Sequence, residues 1–121
     1  MVFEHYTDRG IDIVKLPSRI MMSNAVETRD LLSQIIRGGS GRIVIDCSLI
    51  IFTDSTGSAL IVSALQKARQ RGGDVYLVGV SGQILELLEL MRLHTGFRLF
   101  EDVASAVTAY TPDEGTPSTP T

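Results

Sequence analysis

The chain has 121 residues, of which 44% are hydrophobic and 21% charged, and its formal net charge is −3 at pH 7. This is the length of one domain, and the composition is typical of a globular fold and unlike that of a disordered chain. The negative net charge argues against a basic nucleic-acid-binding face and against a polybasic membrane anchor. The single cysteine, Cys47, excludes an intramolecular disulfide and a thiolate metal cluster.

The longest apolar runs are far shorter than the ~20 residues that a membrane span requires. The opening residues 1–5 lack the basic start and apolar stretch of a secretory leader. We therefore expect a soluble protein of the reducing cytoplasm.

The chain alternates between strand-like and helix-like patterns from end to end. Short alternating or β-branched runs predict strands, and apolar residues three or four positions apart predict helices. The strand, helix and strand between residues 42 and 79 predict a right-handed βαβ crossover. In chain order, the predicted elements are strands over 2–7 and 11–16 forming an antiparallel hairpin, a helix over 25–37, a strand over 42–46, a helix over 56–70, a strand over 74–79, a helix over 83–91, an edge strand over 97–100 and a helix from 101 to 110.

Local details accompany these elements. Ser23 or Asn24 is expected to cap the first helix, and residues 50–52 are expected to form an apolar bridge that packs under the strand over 42–46. In the helix over 83–91, the core side chains are expected to be Leu85 and Leu88, with Ile84, Leu87 and Met91 partly buried.

The last eleven residues differ in composition from the rest. Residues 111–121 are small, polar or proline, so they have no apolar surface to bury. We expect one domain over residues 1–110 and a flexible polar tail over 111–121.

Catalytic and metal-binding patterns are absent from the sequence. His5 and His94 have no partner at metal-ligand spacing, and the glycine pairs at 38–39 and 72–73 follow helices, whereas a phosphate loop opens one. Cys47 is expected to be a small core residue and not a nucleophile. The sequence therefore predicts no catalytic residue, metal site or cofactor, and the protein is not expected to be an enzyme.

The segment over residues 54–58 is the strongest candidate for a functional site, because its hydroxyl side chains lie at a strand-to-helix turn. Asp54 or Ser55 is suited to cap the helix, and Gly57 is expected to leave the backbone open to the close approach of another surface. A phosphate here is favoured by the helix dipole, yet it places a charge of about −1.5 to −2 on any covering partner. The spacing alone leaves two interpretations open, a capped helix start and a phosphorylation switch.

Residues 43–52, IVIDCSLIIF, followed by TDSTG, resemble the anti-sigma factor antagonists, which share the STAS domain. The similarity continues through residues 68–81 and 88–90 and ends within 97–106. This resemblance implies an α/β fold with a small mixed β-sheet of four or five strands and about four α-helices packed mainly on one side.

The resemblance also implies a role in bacterial transcription regulation and stress response by partner switching. The unphosphorylated antagonist binds an anti-sigma factor that is also a serine kinase, and this frees a sigma factor. The kinase uses ATP to phosphorylate the antagonist, and a phosphatase reverses the modification. The acceptor serine of the family corresponds to Ser55, with Thr56 as the alternative acceptor. The residues expected to contact the partner are Asp54, Ser55, Thr56, Gly57, Ser58, Met21 and Met22.

The chain departs from the family pattern at several positions. Ser18 and Met21 stand where a glycine and an acidic residue are frequent, so the partner's identity is open. Thr53 replaces an aliphatic residue, and Arg92 replaces a glycine that usually ends the third helix. The Met21–Met22 pair is either a contact surface or a loop anchor.

Two alternative functions remain. The first is a STAS scaffold of a signalling complex that is never phosphorylated, and the second is a small nucleotide-binding α/β protein.

Overall fold

The computed structural model of the chain describes residues 3–39, 41–53, 55–80, 82–90 and 98–111. Strands and helices occur at every predicted position, and two further strands of two residues each, Arg19–Ile20 and Phe52–Thr53, were not predicted from the sequence. The elements are β1 (Glu4–Asp8), β2 (Ile11–Lys15), β3 (Arg19–Ile20), α1 (Met22–Gly38), β4 (Arg42–Asp46), β5 (Phe52–Thr53), α2 (Ser55–Gln70), β6 (Asp74–Val78), α3 (Gly82–Leu90), β7 (Arg98–Phe100) and α4 (Val103–Tyr110).

Within the described residues, the strands form two sheets. The larger sheet has the order β1-β2-β4-β6-β7, and the smaller sheet pairs β3 with β5. β1 and β2 are antiparallel, as the predicted hairpin requires, whereas β2, β4, β6 and β7 are parallel neighbours. The prediction of a small mixed sheet is confirmed.

The two faces of the larger sheet are covered by different helices. Alternate side chains of the parallel strands point to opposite faces, so Ile45 and Leu77 join one core cluster while Val44 and Tyr76 join another. The first cluster includes side chains of α1, α2 and α3, and the second includes Ala106 of α4. Three helices therefore cover one face and α4 covers the other, which agrees with the expected packing mainly on one side.

The cap of α1 differs from the prediction. The helix begins at Met22, so Ser23 and Asn24 lie inside its first turn. The Asn24 side chain still satisfies free backbone groups, because its Oδ1 accepts from the Met21 N–H at 2.9 Å and its Nδ2 donates to the Arg19 carbonyl at 2.9 Å. Asn24 thus occupies the third helical position, and its side chain bonds back to the backbone of the cap residue Met21, as in a capping box.

The burial within α3 also differs in part from the expectation. Leu88 and Ile84 are buried, whereas Leu85 is only half-buried. A helix presents one stripe to the sheet, and Ile84 and Leu88 are four positions apart on that stripe. The Leu87 side chain and Met91 lie outside the described part, as do Arg92 and His94.

The second sheet face is closed at the end of the described chain by α4. Asp102 caps this helix by accepting from the Ser105 N–H at 2.7 Å, and this hydrogen bond lowers the pKa of Asp102. The Tyr110 hydroxyl donates to the Ile43 carbonyl at 3.0 Å, and its ring stacks on Tyr76 with centroids 3.7 Å apart. The helix is thereby bound to the start of β4.

Residue 111 is the last that the structure describes. Thr111, which the sequence analysis placed in the tail, is buried, and its hydroxyl donates to the Val107 carbonyl at 3.0 Å. The rest of the proposed tail, residues 112–121, lies outside the described residues.

Among the helices of the described ranges, none has the length and apolar character to cross a membrane.

Candidate functional site

The hydroxyl-rich segment opens α2, directly after β5. Ser55 is the first residue of the helix. The prediction that Ser55 caps the helix from outside is therefore wrong. Asp54, the other candidate cap, lies outside the described residues. The backbones of Ser55, Thr56 and Ser58 form the first helical turn, where the N–H groups lack partners within the helix. The segment therefore occupies the positive end of the helix dipole, as expected.

The smaller sheet holds the residues that lead into α2. The Ile51 N–H donates to the Ser18 carbonyl at 2.8 Å, and β3 pairs in parallel with β5, Arg19 opposite Phe52. The loop after β2 and the loop after β4 are thus hydrogen-bonded to each other beside the start of α2. Two-residue strands carry no periodic pattern, which is why the sequence analysis missed this pairing.

Gly57 is a point of close contact inside the protein. It is buried, and a Cβ placed on it would collide with Thr53 Oγ1 and would lie 3.1 Å from Ile20 Cγ2. The side of Gly57 on which a Cβ would stand is therefore filled by the protein's own residues, and contact between Gly57 and a partner stays a prediction. The absent side chain lets α2 approach β3 and β5. Thr53, which is also buried, occupies the space next to it.

We expect the Gly57→Ala variant to lower the free energy of unfolding by about 1–3 kcal/mol, as overpacked sites do. The added methyl group has no room, and this cost exceeds the gain of up to about 1 kcal/mol that alanine brings to a helix. Chemical denaturation measures the difference.

The matched control for this variant is Gly38→Ala at the end of α1. A Cβ at Gly38 meets no atom within 4 Å, so this variant should be neutral or stabilising. Replacing Thr53 by Ala in the Gly57→Ala background should recover part of the loss. If Gly57→Ala and Gly38→Ala were equally stable, the packing described for Gly57 would be contradicted.

Three exposed apolar side chains lie between the end of β4 and the first residue of β5. Ile51 is 72% exposed, Leu49 49% and Phe52 42%, and we call these three residues the loop patch. The prediction that residues 50–52 pack under β4 holds only for Ile50, which is half-buried against the core. The turn closed by the Ile50 N–H on the Cys47 carbonyl directs Ile50 inward, while β5 pairs with β3 and not with the larger sheet. Three exposed large apolar side chains within four residues make this loop a candidate surface for binding a partner.

A cleft between α1 and α2 adjoins the same helix start. Its volume is about 240 Å³, and its lining includes Val26, which is exposed on α1, and Ala59 on α2. Position 55 precedes Ala59 by one helical turn, so both lie on the same face of α2. A partner that covers this face of α2 reaches both position 55 and the cleft.

The predicted contact residue Met21 lies immediately before α1. It is half-buried, and its carbonyl accepts from the Asn24 N–H at 3.0 Å and the Ala25 N–H at 2.8 Å. These are the first hydrogen bonds of α1, which any residue at this position makes, so both roles proposed for the methionine pair stay open. The Met22 side chain lies outside what the structure describes, and partner contact by either methionine stays a prediction.

Two groups that the sequence offered as candidates for chemistry, Cys47 and His5, lie in structural surroundings. Cys47 is buried, and burial, together with the charge of Asp46, raises the pKa of its thiol to about 12. The expectation of a core cysteine is confirmed. His5 Nε2 lies 3.0 Å from Asp12 Oδ1, forming a structural contact between β1 and β2. In the ranges that the structure describes, no three His, Cys, Asp or Glu side chains are grouped to hold a metal ion.

Comparison with protein families gives one match over most of the chain. The family model described as the STAS domain matches residues 3–106. The chain is also 28% identical over 80 residues to the anti-sigma-B factor antagonist of Staphylococcus aureus strain NCTC 8325 / PS 47, and this alignment covers 66% of the chain and 74% of the relative.

Solved structures show the same architecture. A STAS domain anti-sigma-factor antagonist protein from Planctomyces limnophilus superposes with a TM-score of 0.80 at 16% identity, covering 90% of this chain and 97% of that one. The phosphorylated form of the Bacillus cell fate determinant SpoIIAA superposes with a TM-score of 0.76 at 16% identity, covering 89% and 98%. At these identities the likeness concerns the fold alone.

Proposed function

The chain belongs to the STAS domain family, and on this basis we propose that it is an anti-sigma factor antagonist switched by phosphorylation of Ser55. The family match confirms the resemblance carried by residues 43–57. In the proposed cycle, the unphosphorylated chain binds an anti-sigma factor serine kinase in the cytoplasm and thereby frees a sigma factor. The kinase then transfers phosphate from ATP to Ser55, and a phosphatase removes it. The chain itself acts as a regulatory binding module and not as an enzyme.

The observation that carries this proposal is the position of Ser55. It is the first residue of α2, three positions after Phe52 of the loop patch and one helical turn before Ala59, which lines the cleft between α1 and α2. A partner that buries these apolar residues gains about 25 cal/mol for each Å² of apolar surface removed from water. Its interface would extend over residue 55.

A phosphate at this residue affects the fold and the interface in opposite ways. The free N–H groups and the dipole of α2 favour a negative charge at the helix start, so the fold tolerates the modification. The same dianion loses its water when a partner covers it, which is costly unless the partner supplies counter-charges. Phosphorylation at Ser55 is therefore expected to dissociate the complex and leave the domain folded.

The test is incubation of the purified chain with each candidate anti-sigma factor serine kinase of the same genome and ATP, followed by intact-mass measurement. We expect the wild type and Thr56→Ala to gain one phosphate and Ser55→Ala to gain none. Phosphate entering Ser55→Ala but not Thr56→Ala would move the switch to Thr56. A kinase that binds the chain yet phosphorylates none of the variants would favour the scaffold alternative. Turnover of ATP by the chain alone would favour the nucleotide-binding alternative.

The loop patch provides a separate prediction. We expect Ile51→Ser to weaken binding to the partner kinase by about tenfold or more, because the buried part of an isoleucine side chain contributes roughly 1.5–3 kcal/mol. The side chain is 72% exposed in the free chain, so the free energy of unfolding should change by less than about 0.5 kcal/mol. Calorimetric titration and denaturation measure the two quantities.

The control for Ile51→Ser is Tyr6→Ser, since Tyr6 is 48% exposed on the edge strand β1, the outermost strand of the larger sheet. We expect it to bind the partner as the wild type does. Equal weakening by the two substitutions would remove the loop patch from the proposed interface.

A further inference from the structure

Three cationic side chains meet on one turn of α1, in the groove between α1 and α2. The Lys67 ammonium donates to Ser33 Oγ at 2.8 Å, and the Arg37 Nε donates to the Ser33 carbonyl at 3.4 Å. Arg71, which directly follows α2, donates from Nη2 to the Arg37 carbonyl at 3.1 Å. Helix packing therefore holds three positive groups around the segment from Ser33 to Arg37.

Among the residues that the structure describes, these three cations form no ion pair. The groove lining also includes Arg29 and Asp30, and their charges pair with each other at 3.4 Å. Outside the groove, Arg69 pairs in the same way with Asp74 at 3.3 Å. None of the three groove cations has a carboxylate oxygen within ion-pair distance among the described residues. A cluster of like charges in a chain with a net charge of −3 is a local concentration of positive potential.

The groove has room for a ligand. Its volume is about 780 Å³, within the range of small-molecule sites, and its lining is mainly polar. An ammonium carries three N–H donors and a guanidinium five, and each groove cation uses one donor in the hydrogen bonds above. The remaining donors are available to an anion.

We propose that this groove binds a compact multivalent phosphate anion, of the pyrophosphate or tripolyphosphate class. Guanidinium groups match phosphate oxygens through paired hydrogen bonds, and an ammonium adds a point charge. Three cations gathered around one turn of α1 suit a ligand whose charges are close together, better than an acidic peptide whose charges are spread along a chain. Lys67 lies twelve residues after Ser55, about 18 Å along α2, so the groove is separate from the proposed switch.

The experiment is calorimetric titration of the full chain with sodium tripolyphosphate and, in separate runs, with pyrophosphate and a hexaglutamate peptide. We expect saturable binding of one tripolyphosphate per chain and binding of hexaglutamate at least tenfold weaker. Lys67→Gln and Arg71→Gln should each weaken tripolyphosphate binding by tenfold or more. Arg9→Gln removes one positive charge from the turn between β1 and β2, outside the groove, and should bind as the wild type does. Thermal melts establish that each variant is folded.

Three outcomes would overturn the proposal: no saturable binding of either phosphate anion, equal binding of hexaglutamate, or equal weakening in Arg9→Gln and both groove variants. Two groove variants are used because the ammonium of Lys67 also bonds Ser33, and a folding defect in that variant leaves Arg71→Gln to decide. Binding should persist in Ser55→Ala, so the result does not depend on the proposed phosphorylation switch.

Discussion

Truncation of Leu88 to Ala is expected to lower the free energy of unfolding by about 2–5 kcal/mol, the cost typical of a buried leucine. Leu88 is 2% exposed and belongs to the core cluster that α1, α2 and α3 form on one face of the sheet. α3 has nine residues, too few for a helix that is stable by itself, so it depends on this packing. Urea denaturation of the wild type and the variant measures the difference.

The control for Leu88→Ala lies two residues further along the same helix. Leu90 is 79% exposed, so Leu90→Ala shortens a leucine side chain that lies in water, whereas Leu88→Ala shortens one that lies in the core. We expect its effect to stay within about 0.5 kcal/mol. A Leu88→Ala loss of that same small size would show that α3 is not docked on the sheet.

Replacement of Ser55 by Glu is expected to weaken binding to the partner kinase by about two to three decades, equivalent to a few kcal/mol. The carboxylate would be covered at the interface and would lose its water without gaining a counter-charge. The fold should be unaffected or slightly more stable, since a negative charge at a helix start contributes roughly 0.3–1 kcal/mol. Calorimetric titration of the kinase with the variant and the wild type measures the affinity.

Ser55→Ala is the matched variant for Ser55→Glu, because it changes the same position without adding charge. We expect it to bind the kinase with the affinity of the wild type. Should Ser55→Ala, Ser55→Glu and the wild type all bind equally, position 55 would lie outside the interface and the proposed switch would fail.

The elements with a periodic pattern could be predicted from the sequence. The β-branched run over residues 42–46 and the DVYLV run of β6 became neighbouring parallel strands, because a helix of suitable length separates them. The positions of the hydroxyl segment and of the glycine pairs at the ends of α1 and α2 were predictable as well. Turns and crossovers of this kind depend on residues close in sequence, whereas the exact cap of α1 was predicted two or three residues too late.

Contacts between distant segments could not be predicted in the same way. β3 and β5 have two residues each, and their pairing places Arg19 opposite Phe52. With the backbone held in this pairing, Ile51 faces solvent. The burial of Gly57 has the same origin, since Ile20 reaches it only through β3. A run of apolar residues in a sequence indicates burial. Which residues of the run stay exposed becomes clear only once the strand pairing is known.

The buried thiol of Cys47 has a practical consequence for studies of this protein. Cys47 is the single cysteine of the chain, and it lies at the end of β4 in the cluster shared with α1, α2 and α3. An alkylating reagent at neutral pH therefore has no reactive thiolate to attack until the molecule opens. The rate of alkylation then follows the population of open molecules, provided that closing is faster than labelling. The chain thus carries an intrinsic probe of its own opening, which can compare phosphorylated and unphosphorylated protein without any added dye.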